Sequence, residues 1–497
     1  MAGAAQGRRE DIVSAEVSTI ERSERIRSSR VGLAVLLVIA TLFVAVSLPV
    51  VVRGAPLADD FVNCLEPQRV GLSSALGDSL DRLGVLRKAH LIEIAVTTGV
   101  CQNLPFGFAI AVPLVLTLAV AVLLRGLLRD LGVMGPWPEL AGALWLLQPV
   151  GMEAALWPAA MHVPLGLALA LAALRLHRNG SYVWGSLAVV GACLSVEQVI
   201  LALPVAVWLT VRPEWRRTAL VSTLAVIVVL IVLIVAWPGD DPRLQASLAE
   251  RVSSAVGDPA FFPRFVAVGL GAQSIPLAIM WSFPVGIGVL VAGALLGWRL
   301  APDGVVPGPA QADWRAVVRT FLAGLVLVVA INAPIVFNVP QQGSPRLFAP
   351  TWLVVCGVVG MVAPLVRFRR PRAWGALAGV FATAAILSLA LSAWVRVQSA
   401  EFTESASRQI AAETSDDADI AVCGVTRTVV DPAPRGAFFV HEFVYDWAAR
   451  EALDYYTDER ADFSLSGELW AIPCPTAADV DRVFAFDDLV TTWRSGD

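Results

Sequence analysis

Four short stretches carry residues whose types and spacing could do chemistry. Ala58-Asp59-Asp60-Phe61 places two adjacent carboxylates just beyond the first long apolar run. Repulsion between such neighbours raises the pKa of one of them, which suits a general base. The stretch from Gln148 to Trp157 (QPVGMEAALW) sets Glu153 in apolar surroundings behind Pro149 and Gly151. Both of those residues break a helix ladder, which is tolerated where backbone lines a cavity. His162 follows five residues after Trp157, and Ser195-Val196-Glu197 puts another acid at a junction between two apolar runs. Gln341-Gln342-Gly343-Ser344-Pro345-Arg346 ends on an arginine at the start of a late apolar run. A guanidinium there can clamp a phosphate bidentately. Each stretch also has a plain structural use: a solvated acidic turn, a helix-end Glu, an interfacial His, a hairpin tip, a headgroup-anchoring Arg. Together they put carboxylates and one guanidinium at a common membrane face. That set fits chemistry on an anionic lipid-linked substrate, the cation holding the phosphate while a carboxylate takes a proton from an acceptor hydroxyl.

The elements that must position these residues are membrane spans. The chain has 497 residues, 57% hydrophobic and 16% charged, against about 25% charged in soluble domains. This excludes an ordinary cytosolic enzyme and a disordered chain. A formal charge of −5 supplies no basic field for nucleic acid. A span needs roughly 20 apolar residues. Runs at 31–52, 104–124, 140–156, 163–176, 182–194, 199–210, 218–237, 279–300, 317–337, 348–366 and 374–395 give about eleven spans by the hydropathy window. The expected fold class is an all-α polytopic membrane protein.

Arginines set the expected orientation. Arg8, Arg9, Arg22, Arg25, Arg27 and Arg30 precede the first run, which reads as a retained signal anchor with residues 1–30 in the cytoplasm. Arg125, Arg129, Arg175, Arg178, Arg212, Arg216, Arg217, Arg299, Arg315, Arg367, Arg369, Arg370 and Arg372 then fall on that same side of the alternating spans. The transmembrane domain covers 31–395, with a long first external loop at 53–103. Residues 396–497 are polar and acidic with period-two apolar stretches, and read as a small external α/β or α+β domain. The expected location is the plasma membrane, multi-pass, with membrane lipids as neighbours.

Four His and six Cys are too few and scattered for a dedicated structural metal site. Cys193 and Cys356 fall inside spans as apolar fillers. Cys64 and Cys101 share the first external loop and Cys423 and Cys474 the external tail, so an oxidising exterior permits a disulfide in each place.

At these residues the chain resembles the GT-C superfamily of integral-membrane glycosyltransferases, whose plan is a short cytoplasmic N-terminus, one span, and a long external loop opening on an acidic motif. Asp59 and Asp60 stand where that motif would be, and residues 69–99 resemble the amphipathic juxtamembrane helices of that loop. Pro149, Glu153 and Trp157 are similar to the His-Pro-x-x-x-Glu-x-x-x-Trp stretch of the tetratricopeptide-associated and protein-O-mannosyltransferase-like branch, with Gln148 in place of His. Ser195-Val196-Glu197 resembles its Ser-Lys-Glu without the Lys. Arg346 and Pro350 resemble its Arg-Tyr-x-x-x-Pro, one residue closer together and with Leu347 for Tyr.

The resemblance implies transfer of a sugar from a polyprenyl-phosphate-linked donor to an acceptor hydroxyl on a glycan, lipid or protein at the external face. Asp59 or Asp60 would be the base and Arg346 would neutralise the departing phosphate. Glu153, Glu197, Trp157 and His162 would shape the substrate cavity. Some superfamily members use a divalent metal and others do not. Asp59, Asp60 and Glu153 offer oxygen ligands for Mg²⁺ or Mn²⁺, and the sequence leaves the cofactor undecided. Three alternatives share the many spans: a transporter or flippase, a polymerase or ligase of lipid-linked saccharides, and a non-catalytic scaffold whose tail binds a partner.

Overall fold

A computed structural model describes residues 29–56, 59–82, 90–147, 152–236, 283–300, 313–336, 348–366, 371–414, 418–425, 429–431, 437–439, 446–457, 461–467, 474 and 480–495. Helix α1 spans Ser29–Arg53. The first loop folds as α2 (Asp59–Val70), α3 (Leu72–Arg82) and α4 (His90–Asn103). There follow α5 (Gly107–Asp130), α6 (Trp137–Leu146), α7 (Met152–Leu156), a 3₁₀ turn (Pro158–Ala160), α8 (His162–Arg178), α9 (Tyr182–Ser195), α10 (Val199–Thr210) and α11 (Pro213–Ala236). The later part holds α12 (Phe283–Leu300), α13 (Trp314–Val336), α14 (Ala349–Val362) and α15 (Pro371–Glu413).

Among the described residues, six helical segments are long and apolar enough to cross a membrane: α1, α5, α8 with its preceding turn, α11, α13 and α15. Shorter apolar helices cover α9, α10, α14 with the turn after it, and most of α12. The chain is therefore an all-α, multi-pass membrane protein in its main part. Val31, Leu37, Val122, Val228, Leu295 and Phe321 are exposed on these helices, as hydrocarbon-facing side chains should be, since lipid and not water is their solvent.

Two elements differ from their sequence expectation. In the apolar run at 140–156, α6 ends at Leu146 and the five-residue α7 begins at Met152, and residues 148–151, with Pro149 and Gly151, lie outside the described residues. The last run does not stop at 395. Residues 396–413 contain neither Gly nor Pro, so loss of apolar character changes the helix's surroundings without ending it. At about 1.5 Å per residue α15 is roughly 65 Å long, twice a bilayer core. Its far end enters a separate core made with the C-terminal residues.

That C-terminal unit has a parallel sheet in the order β4-β1-β5, from β1 (Ala418–Val425), β4 (Ala461–Gly467) and β5 (Arg482–Ala485). A β2 (Val429–Asp431) and β3 (Ala437–Phe439) pair is antiparallel. Helix α16 (Asp446–Thr457) provides the crossover between β1 and β4, and α17 (Phe486–Ser495) closes the chain. Phe402 and Ile410 of α15 are buried with Ile420, Val422, Leu453 and Phe486. Phe402 meets Phe486 and Trp493 edge-on at 5.6 and 5.8 Å.

Backbone contact between helices is set by glycine. Gly293-x-x-x-Gly297 on α12 faces Gly375-x-x-x-Gly379 on α15, so close that a Cβ on Gly293 would lie 2.9 Å from the Gly379 carbonyl oxygen. A Cβ on Gly297 would strike the Gly375 carbonyl outright. Small residues at both helices' contact allow this approach and its dispersion gain in lipid, where no hydrophobic effect drives association. Gly297→Leu should therefore destabilise the protein by about 1–3 kcal/mol through overpacking, read as a lower thermal midpoint in detergent. Gly288→Leu on the same helix, where a Cβ meets nothing within 4 Å, should leave the midpoint unchanged.

Candidate functional site

The first loop leaves and re-enters the bundle at one point. Gly54, at φ +59°, turns the chain out of α1, and a Cβ there would lie 2.9 Å from the Gly107 nitrogen. A Cβ on Gly107 would collide with the Val51 carbonyl. Only glycine permits both the left-handed backbone and the close approach. The loop between them is stapled by a Cys64–Cys101 disulfide joining α2 to α4, with Cα atoms 5.7 Å apart. Thr98 Oγ1 also donates to the Asn63 carbonyl at 2.9 Å.

This scaffold holds two fully buried carboxylates, Asp60 at the start of α2 and Glu93 on α4. Both reach the connection that leads into α8. Asp60 Oδ1 accepts the Ala159 backbone N–H at 3.0 Å, and its Oδ2 lies 3.9 Å from Arg396 Nη2 of α15. Glu93 Oε1 accepts the His162 backbone N–H at 2.8 Å and lies 2.6 Å from His162 Nδ1. Glu93 thus satisfies an amide donor at the first turn of α8 and lies at the positive end of its dipole, while Asp60 satisfies an amide of the 3₁₀ turn just before it. The same contact to Nδ1 fixes the imidazole ring of His162.

The C-terminal unit leans on the outer side of this group. Phe61 is fully buried and meets Tyr455 and Tyr456 of α16 edge-on at 5.4 and 5.9 Å. Arg69 of α2 pairs with Asp454, and with Glu451 at 3.1 Å. Arg53 at the end of α1 pairs with Glu404 of α15, which also holds Arg408 at 2.9 Å. Burial, and then the charge of Glu404, push the Tyr455 phenol up from its ordinary value, so it stays neutral. A second disulfide, Cys423–Cys474, closes within the C-terminal unit.

The opposite end of the bundle is basic and separately paired. Arg125 and Arg129 converge on the buried Glu139, Arg175 bonds Asp130 at 2.7 Å, and Arg178 donates to the Thr210 carbonyl. Helices α5 and α8 each run from one end to the other.

Of the residues singled out from sequence, Asp60 and His162 belong to one polar group around residues 157–162. Trp157 is half-buried in that connection. Glu197 is half-buried in the turn between α9 and α10, whose Ser195 and Val196 press on α8 at Gly166, one helical turn past His162. The side chains of Asp59 and Glu153, and all of Arg346, lie outside the described residues. The arginine beside Asp60 is Arg396, which the sequence argument passed over. Glu93 was passed over too. Both had a legible signal, a single charge inside an apolar stretch: Leu91-Ile92-Glu93-Ile94 and Trp394-Val395-Arg396-Val397. Among the described residues no group of three or more His, Cys, Asp or Glu is arranged to hold a metal ion.

No family model, curated protein or solved structure matches the chain.

Two outcomes follow from the geometry. Glu93→Ala removes an acceptor from two His162 donors and should cost about 1.5–3 kcal/mol, lowering the thermal midpoint. Glu93→Gln, which keeps an acceptor for the amide, should lose less. Peptide mapping without reductant should return Cys64 linked to Cys101 and Cys423 to Cys474, with Cys193 and Cys356 alkylated only after denaturation.

Proposed function

We propose that this protein is a membrane glycosyltransferase of the GT-C type, with about eleven spans in the plasma membrane, the N-terminus cytoplasmic and the C-terminal unit external. It would move a sugar from a polyprenyl-phosphate-linked donor to an acceptor hydroxyl at the external face. The observation that carries this reading is the pairing of first-loop Asp60 with Arg396 beside the His162 turn, at the end of the bundle opposite the arginine-rich end.

The chemistry asks little of the protein beyond position, a base and a cation, because the sugar–phosphate bond is already activated. The acceptor oxygen bonds to the anomeric carbon while the bond from that carbon to the phosphate oxygen breaks. The phosphate leaves with the electron pair, and the hydroxyl proton passes to a carboxylate. Asp59 or Asp60 is that carboxylate in this scheme. Asp60 is oriented by the Ala159 amide. The departing phosphate meets a guanidinium, Arg346 by the sequence resemblance or Arg396 by its nearness to Asp60. His162, oriented by Glu93, and Trp157 line the approach, with Glu153 and Glu197 shaping the cavity around it.

The test is transfer in membranes from polyprenyl-phosphate sugars, guided by comparing cell-envelope glycans with and without the gene. Asp60→Asn or Asp59→Asn should lower transfer by about 10²–10⁴-fold, the usual contribution of a general base. The variant should still form the Cys64–Cys101 disulfide and elute as a single species. Normal transfer by both variants would remove the assignment.

A further inference from the structure

A cavity of about 350 Å³ opens between α5, α8, α10, α13 and α14, well away from the Asp60 group. Its walls are apolar, among them Leu127, Leu171, Leu203 and Val354, and its one charged lining residue is Arg319 of α13. Arg319 is exposed and stands about one helical turn past Trp314, on the side where Arg125, Arg129, Arg175 and Arg178 collect. Arg125, Arg129 and Arg175 each hold a carboxylate, but among the described residues Arg319 has no ion pair. Thr210 and Thr320 line the cavity beside it and Ile331 lines its far end. From Arg319 to Ile331 the helix rises about 18 Å, close to the roughly 15 Å depth of one leaflet's hydrocarbon.

We infer that this groove is a binding site for one anionic phospholipid of the leaflet on the arginine-rich side, an acyl chain in the groove and its headgroup phosphate on Arg319. The depth matches one chain, and an exposed guanidinium at the mouth of an otherwise apolar groove is placed to hold a headgroup phosphate by charge-assisted hydrogen bonds. A zwitterionic headgroup brings its own ammonium into a region already rich in guanidinium, so a net negative headgroup is favoured.

The full chain would be reconstituted with equal phosphatidylglycerol and phosphatidylethanolamine, and the lipid retained after delipidation counted by native mass spectrometry. Phosphatidylglycerol should be retained preferentially, and R319Q should lower its retention by roughly tenfold, the loss of one charge-assisted contact. R319K should keep most of it, and R315Q, one turn nearer the helix start and outside the groove, should change nothing. Ala206→Phe, which fills the groove and leaves Arg319 intact, should lose the lipid as well. Each variant is first checked for a single monodisperse species. Equal retention of the two lipids, full retention in R319Q or Ala206→Phe, an equal loss in R315Q, or displacement by inorganic phosphate would each overturn the site.

Discussion

A carboxylate buried at the edge of a membrane bundle must find hydrogen-bond donors or its burial destabilises the fold. Asp60 and Glu93 find theirs in the short connection at residues 157–162, and this pairing ties the first loop to the start of α8. The carboxylates in turn satisfy helix-start amides that would otherwise be orphaned. These bonds fix the position of the loop relative to the connection. The glycine crossing at Gly54 and Gly107 and the Cys64–Cys101 staple act on the same loop from its two ends and its middle.

The two ends of the bundle solve the charge problem differently. At the Asp60 end, carboxylates are buried and meet backbone amides, one histidine and one arginine. At the other, arginines outnumber acids, with Arg125 and Arg129 sharing a single Glu139. Helix α5 separates these ends by about 35 Å at its rise per residue. Any chemistry built on Asp60 is therefore insulated from charges at the far end by a full membrane's thickness.

Helix α15 couples the parts. It packs on α12 through paired glycines, offers Arg396 to Asp60, and then supplies Phe402 and Ile410 to the core of the α/β unit. Helix α16 of that unit returns to α2 through Tyr455, Tyr456, Asp454 and Glu451. The Asp60 group thus sits where three structures meet: the membrane bundle, the first loop and the C-terminal unit. A shift of the C-terminal unit would be felt at Phe61, one residue from Asp60.

By itself the sequence determined the environment and the periodicity. Long apolar runs can only be helices in lipid, because every backbone amide must be satisfied within its own segment. Alternating arginine placement sorted the helix ends, and Asp60 and His162 stood out as polar residues at those ends. Pro149 and Gly151 lie in the sequence between the end of α6 and the start of α7. The glycine repeats at Gly293/Gly297 and Gly375/Gly379 were equally legible as small-xxx-small patterns. Only the tertiary structure decided which charge meets which. Asp60 and Arg396 are over three hundred residues apart in the chain, and Glu93 reaches His162 from a different helix. Such pairings depend on the packing of whole helices, and hydropathy, which sees one segment at a time, carries no information about them. The same holds for α15: its composition changes at 396, but a helix ends where its backbone bonding ends, and nothing there ends it.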